Sequence, residues 1–254
     1  MEVWTVANQK GGVGKTTSTI TLAGLLAEKG KRVLLVDTDP HASLSYYFGI
    51  ESEDLDLSVY DLFTQVSSTE QILQSLCPTH YNRLDILPAT MGLATLDRAL
   101  GDKGGMGLVL KKAMNKISQN YDYILMDCPP VLGVLMVNAL AAANRIIVPV
   151  QTEFLALKGL DRMIKTMDLM QGEQKEAFKY TIVPTMFDKR TKASILAYQQ
   201  LQDTYKEKVW PGVIPIDTNF RNASLARKVP SHFSANSRGV FAYNSLLDYL
   251  LKSA

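Results

Sequence analysis

Gln9-Lys10-Gly11-Gly12-Val13-Gly14-Lys15-Thr16-Thr17 is the stretch on which the fold of this 254-residue chain turns. An apolar run of strand length, Val3-Trp4-Thr5-Val6-Ala7, leads into it, and a helical pattern from about Thr16 to Lys29 follows. Glycines between a strand and a helix let backbone N–H groups turn inward, and the helix N-terminus adds a dipole that favours an anion. Gly11, Gly12, Val13 and Gly14 would form such a cradle. Lys15 would neutralise the β- and γ-phosphates of a nucleotide, the Thr16 hydroxyl suits Mg²⁺, and Thr17 suits the α-phosphate. A ligand-free glycine turn would have no use for the adjacent Lys-Thr-Thr.

The usual phosphate-loop pattern has a glycine where Gln9 sits. Here that glycine is missing, and Lys10 with the Gly11-Gly12 pair replaces the ordinary spacing. Taken by spacing alone, Lys10 reads as a solvated surface lysine.

Outward from the loop, apolar runs of strand length alternate with helical patterns. Gly30 ends the first helix, and Arg32–Asp37 reads as a second strand. Later strands are expected at Leu84–Pro88, Tyr123–Asp127, Arg145–Val150, Tyr180–Pro184 and Val213–Pro215. Helices are expected at Gly107–Ile117, Leu157–Met170 and Ala193–Lys206. Continuous apolar strands separated by helices mark a mostly parallel sheet covered on both faces. The expected fold class is therefore α/β, a P-loop nucleotide-binding architecture in a single domain over residues 1–254. The more polar segment from Ile50 to about Leu76 is expected to cover the nucleotide edge with short helices.

Carboxylates fall where such a sheet binds its ligand. Asp37-Thr38-Asp39-Pro40-His41 follows the second strand, at the ligand edge of a parallel sheet. An Asp-Pro turn capping the next helix is the plainer reading of that segment. Asp127 ends the apolar run Tyr123-Ile124-Leu125-Met126, which is the Walker B arrangement that bonds Mg²⁺ through water. A simple cap before Pro129-Pro130 is the alternative.

The segment Lys10–Thr17, K-G-G-V-G-K-T-T, closely resembles the deviant Walker A motif of the ParA/MinD family. That resemblance implies that Lys10 reaches across a homodimer to the phosphates of the partner's nucleotide. It implies that Asp39 orients the attacking water and that Asp37 helps hold the magnesium shell. Lys10, Lys15 and Asp39 are thus the expected catalytic residues, with ATP and Mg²⁺ as ligands. The stretches Pro149–Phe154 with Ala156 and Gly159, Pro184–Asp188, and Val213–Pro215 extend the likeness over nearly the whole chain. They suggest Thr185 and Pro215 as residues near the adenine.

Within the family the likeness is to the ParC-type ATPases of polar chemotaxis clusters. It is carried by Val3–Gln9, Asp39–Leu44, Leu132–Leu140 and Ser237–Val240. It implies an ATP-driven switch that positions chemoreceptor arrays at the cell pole. Chromosome or plasmid partition, with a ParB-like activator on non-specific DNA, is the alternative. Either reading implies a protein activator or cargo adaptor.

Bulk properties narrow the remaining classes. With 27 Lys and Arg against 25 Asp and Glu, the net charge of +2 is too small to indicate nucleic-acid binding by itself. Any contact with DNA must use local patches, and Lys189, Arg190 and Lys192, then Arg221, Arg227 and Lys228, are the candidates. Two solvated basic loops would look the same. No helix-turn-helix pattern precedes the first strand, which speaks against operator reading.

The two cysteines, Cys77 and Cys128, lack C-x-x-C spacing and are expected to stay reduced in the cytoplasm, whether at the pole or on the nucleoid. They also give no convincing ligand pair for a cluster-bearing relative of nitrogenase reductase. The three histidines are scattered. No run is long enough to span a bilayer. The pattern Tyr243–Leu251 has only Lys252 nearby, so it reads as a docked core helix without membrane insertion.

Overall fold

A computed structural model describes residues 1–65, 68–100, 106–171 and 177–253. Among these residues seven strands form one sheet in the order β3-β4-β2-β5-β1-β6-β7. The strands are β1 (Glu2–Val6), β2 (Val33–Asp37), β3 (Cys77–Pro78), β4 (Leu84–Leu87), β5 (Tyr123–Asp127), β6 (Arg145–Gln151) and β7 (Tyr180–Thr185). All pairings are parallel except that of the two-residue β3 with β4.

The central strands are buried on both faces, which explains their unbroken apolar character. Alternate residues serve opposite cores. On β2, Leu34 and Val36 join one cluster, while Val33 and Leu35 join the other. The first cluster is covered by α3 (Val59–Thr64), α4 (Thr69–Gln74), α5 (Leu93–Leu100), α6 (Val109–Lys116), α7 (Val134–Ala142), α8 (Phe154–Gln171) and α9 (Lys192–Tyr205). The second is covered by α1 (Lys15–Glu28), α2 (Ser43–Tyr47), α10 (Asn219–Leu225), α11 (Pro230–Phe233) and α12 (Arg238–Lys252).

Helix α1 packs tightly on α11. A Cβ added to Gly24 would stand 2.1 Å from Val229 Cγ1, so glycine is required for that approach. Helix α12 is docked as expected, with Val240, Tyr243, Leu246, Leu247 and Leu250 buried in the second core. Arg145 on β6 donates to the Ser253 carbonyl at 2.8 Å and holds the end of α12 to the sheet. No helix among the described residues is long and apolar enough to cross a membrane.

Two expectations need correction. Val213–Pro215 is not a strand: Ile214 N donates to the Pro184 carbonyl and Phe187 N to the Ile214 carbonyl, leaving only an isolated bridge between Phe187 and Pro215. Proline has no N–H to extend a ladder, and Pro211 and Pro215 bracket this segment. The segment 50–76 does form short helices, but Val59, Leu62, Phe63 and Ile72 insert into the first core and cover a sheet face. The antiparallel β3 was not foreseen, because two residues carry no periodicity.

Candidate nucleotide site

The loop between β1 and α1 lies at the C-terminal ends of the parallel strands, the edge at which open α/β sheets bind ligands. Gly12 and Gly14 adopt positive φ values of 72° and 92°, a region that side chains rarely enter. Their conformations turn the loop into the first turn of α1, where Ser18 N donates to the Gly14 carbonyl at 2.9 Å. Asn8 holds the loop from behind, its Nδ2 donating to the Pro149 carbonyl at 2.8 Å and its Oδ1 accepting from Lys10 N at 2.9 Å.

Lys15 begins α1 and is buried, its Nζ donating to the Lys10 carbonyl at 3.2 Å. Burial lowers its pKa, while the nearby Asp127, Cys128 and Asp39 pull it back up. An ammonium held out of water beside a loop of N–H donors is well suited to a multiply charged anion.

The carboxylates gather beneath it. Asp127 ends β5, and its Oδ2 accepts from the Thr16 hydroxyl at 2.6 Å. Asp37 ends β2 beside it, Cα paired with Cα in the sheet register. Asp37 Oδ2 accepts from Ser45 N at 2.9 Å and Ser45 Oγ at 2.8 Å, and Oδ1 accepts from Asp39 N at 3.1 Å. Burial nevertheless pushes Asp37 up to about 6. Asp127 is also pushed up, first by burial and then by the Asp37 charge. Asp39 is partly exposed, its Oδ1 accepting from His41 N at 3.0 Å. Cys128 is a buried free thiol whose pKa burial raises, so it stays protonated filler.

Beside the loop opens a cavity of about 410 Å³. Gly14 and Thr17 of the loop, Thr185 from the end of β7, and Pro215 lie in its wall. Phe220 and Tyr243 form an aromatic side of the wall, Phe220 set edge-on to Tyr243 at 5.6 Å, and Arg221 lines the cavity as well. Thr185 Oγ1 donates to the Val13 carbonyl at 2.9 Å and so ties this wall to the loop.

Lys10 projects to the other side of the loop, where its Nζ donates to Glu153 at the start of α8. Glu153, Ser45, Phe220 and Tyr243 are site residues that sequence reasoning missed. Ser45 and the two aromatics carry no motif. Glu153 lay within a family-like stretch, but nothing in its spacing joined it to Lys10.

The basic candidates divide into four places. Lys189 and Arg190 line a second cleft of about 850 Å³ together with Arg238, and Arg190 is tied to Asp188 at 2.8 Å. Lys192 is exposed at the start of α9. Arg221 lines the nucleotide cavity instead. Arg227 lies 3.7 Å from Glu51, with exposed Lys228 next to it.

Known proteins place this arrangement in context. A family model described as an AAA domain matches residues 1–180. The sporulation initiation inhibitor protein Soj of Bacillus subtilis is 38% identical over 248 residues, covering 95% of this chain and 94% of that protein. The chromosome partitioning protein ParA of Myxococcus xanthus is 33% identical, covering 97% and 87%. The crystal structure of cobyrinic acid a,c-diamide synthase from Mycobacterium smegmatis, with bound ATP analog and magnesium, superposes with a TM-score of 0.84. It is 33% identical and covers 99% of this chain and 95% of that one.

Proposed function

Because this chain belongs to the ParA/MinD family of P-loop ATPases, we propose that it is an ATP-dependent dimerising switch that partitions DNA. The observation that carries the reading is the pair of lysines on one loop: Lys15 turned inward beside Thr16 and Asp127, Lys10 turned outward.

ATP binds with its base in the cavity of Thr185 and Pro215 and its phosphates on residues 11–17. The related structure with ATP analog and magnesium supports that choice of ligands. Thr16 and Asp127 offer oxygen donors only, which suits Mg²⁺, and Asp37 lies next to them. Bound there, Mg²⁺ would neutralise charge on the phosphates. Lys15 stabilises the negative charge that develops during transfer, and Asp39 orients the attacking water.

Lys10 of each subunit reaches the nucleotide of the other, so ATP closes a homodimer and hydrolysis reopens it. The two states differ in affinity for a surface and a partner, which makes hydrolysis a timer. Turnover is slow and stimulated by a protein activator, and the ATP state rests on non-specific DNA in the cytoplasm. Exposed Lys189, Arg190, Lys192, Arg227 and Lys228 supply phosphate contacts.

The partitioning names of the relatives favour DNA as cargo over chemoreceptor arrays. The array reading has no counterpart among the relatives reported above. Imaging the tagged protein with chromosome origins and with arrays tests the choice. Displaced origins after deletion, with arrays undisturbed, support partition; the opposite result would overturn it.

A further inference from the structure

The contact between Lys10 and Glu153 lies within one chain, whereas the proposed switch needs Lys10 on the partner's nucleotide. The pair is partly shielded, with side chains 28% and 43% exposed. Two more contacts hold the same stretch against α8. The Lys10 stem lies along Gly159, where an added Cβ would stand 3.4 Å from Lys10 Cβ. Gln9 Nε2 donates to Thr166 Oγ1 at 2.8 Å.

Glu153 is displayed on a corner between β6 and α8 that is itself anchored. Thr152 N and Oγ1 both donate to the Thr185 carbonyl, at 3.1 and 3.3 Å, and Thr152 Oγ1 lies 2.6 Å from Ser194 Oγ. Thr185 in turn holds the Val13 carbonyl and lines the nucleotide cavity. Contacts therefore close a circuit from the phosphate loop through Thr185 and Thr152 to Glu153, and back to the loop through Lys10. Such a contiguous circuit is the physical requirement for one site to bias another.

We propose that Glu153 is a positioning residue that holds Lys10 inside its own subunit until the partner's nucleotide phosphates compete for it. This rests on the reading of Lys10 as the residue that crosses the dimer. One carboxylate and a triphosphate compete for the same ammonium, and a partly exposed ion pair is weak enough to yield. Monomer and dimer thus exchange one anionic partner of Lys10 for another, which sets the ATP concentration at which dimers form.

Glu153→Gln keeps the side chain's shape and removes its charge. Sedimentation velocity across an ATP titration reads the dimer, and acylation of Lys10 by a small amine reagent, followed by peptide mass spectrometry, reads the latch. Glu153→Gln should dimerise at roughly two- to fivefold lower ATP, as expected for loss of a weak ion pair. In the nucleotide-free protein it should raise Lys10 labelling while leaving Lys192 unchanged. Added salt should raise Lys10 labelling in the wild type and not in the variant, because screening acts on the pair. Unchanged Lys10 labelling, or a higher ATP requirement, overturns the proposal. A wild-type chain that stays monomeric with ATP would sink the dimer reading instead, and the labelling then decides the latch alone.

Discussion

Asp37 and Asp127 stand on one rung of the sheet, register partners at the ends of β2 and β5, and both are closed off from solvent. Two carboxylates cannot both ionise cheaply there: burial raises both pKa values, and the Asp37 charge adds to the rise at Asp127. Folding therefore favours their protonated forms. The resulting cost to stability is absent below the unfolded value of about 3.9 and grows as pH rises from there toward neutrality. A strained acidic pair next to Thr16 is stabilised when a cation is held beside it.

Asp127→Asn should accordingly raise the melting temperature of the nucleotide-free protein at pH 7.5 and leave it nearly unchanged at pH 4. The same variant should lose the extra stabilisation that magnesium with ATP gives the wild type. Calorimetry at both pH values checks the sign. A lower melting temperature at pH 7.5 would show that the Thr16 hydrogen bond outweighs the repulsion.

Much of this site was legible in the residues themselves because its parts are local. The loop glycines, Lys15 and Thr16 act within one strand-to-helix turn, and Asp37 and Asp127 announce themselves by ending apolar runs. What stayed hidden depends on long-range packing. Glu153 meets Lys10 across 143 positions of chain, and Tyr243 meets Ser18 across 225. The expected strand at 213–215 failed for a local reason, since its proline cannot extend a ladder. The Arg221 candidate went to the cavity wall, in company with residues 214–218 of the segment before α10.

The two loop lysines should separate cleanly by mutation. Lys15→Ala removes a buried ammonium aimed at the loop and should weaken ATP binding by about 100-fold or more, the scale of losing charge-assisted bonds. Lys10→Ala should keep ATP affinity within about threefold, since Lys10 points toward Glu153 in its own subunit, a pair of modest strength. It should remain monomeric with ATP. Fluorescent-nucleotide titration alongside sedimentation gives both numbers, and an ATP-dependent dimer of Lys10→Ala would refute the crossing role.

Asp39 bears on turnover and not on the fold. Its side chain is mostly shielded, but the side-chain contacts are local ones to His41. Asp39→Ala should therefore cost no more than about 0.5–1.5 kcal/mol of stability, the scale of one local hydrogen bond. It should bind ATP, hydrolyse it at least about 100-fold more slowly, as expected on losing a group that orients the nucleophile, and accumulate as dimer. Phosphate release measured with excess activator is the decisive assay, and normal turnover there removes Asp39 from the mechanism.

Gly24 tests the packing that carries α1, and with it the phosphate loop. It lies in the middle of a helix, where alanine is intrinsically better by about 0.5–1 kcal/mol. Against that gain, a methyl group would overlap Val229 Cγ1 at 2.1 Å, and Val229 is fully buried. Overpacking of this kind costs about 1–3 kcal/mol, so the clash should win. Gly24→Ala is expected to lower stability to urea and, by shifting α1 away from α11, to weaken ATP binding as well. Gly24→Ala combined with Val229→Ala removes the overlap and should recover ATP affinity even though it leaves a small cavity. Equal ATP affinity in the single variant and the wild type would show that the α1–α11 contact does not set the position of the loop.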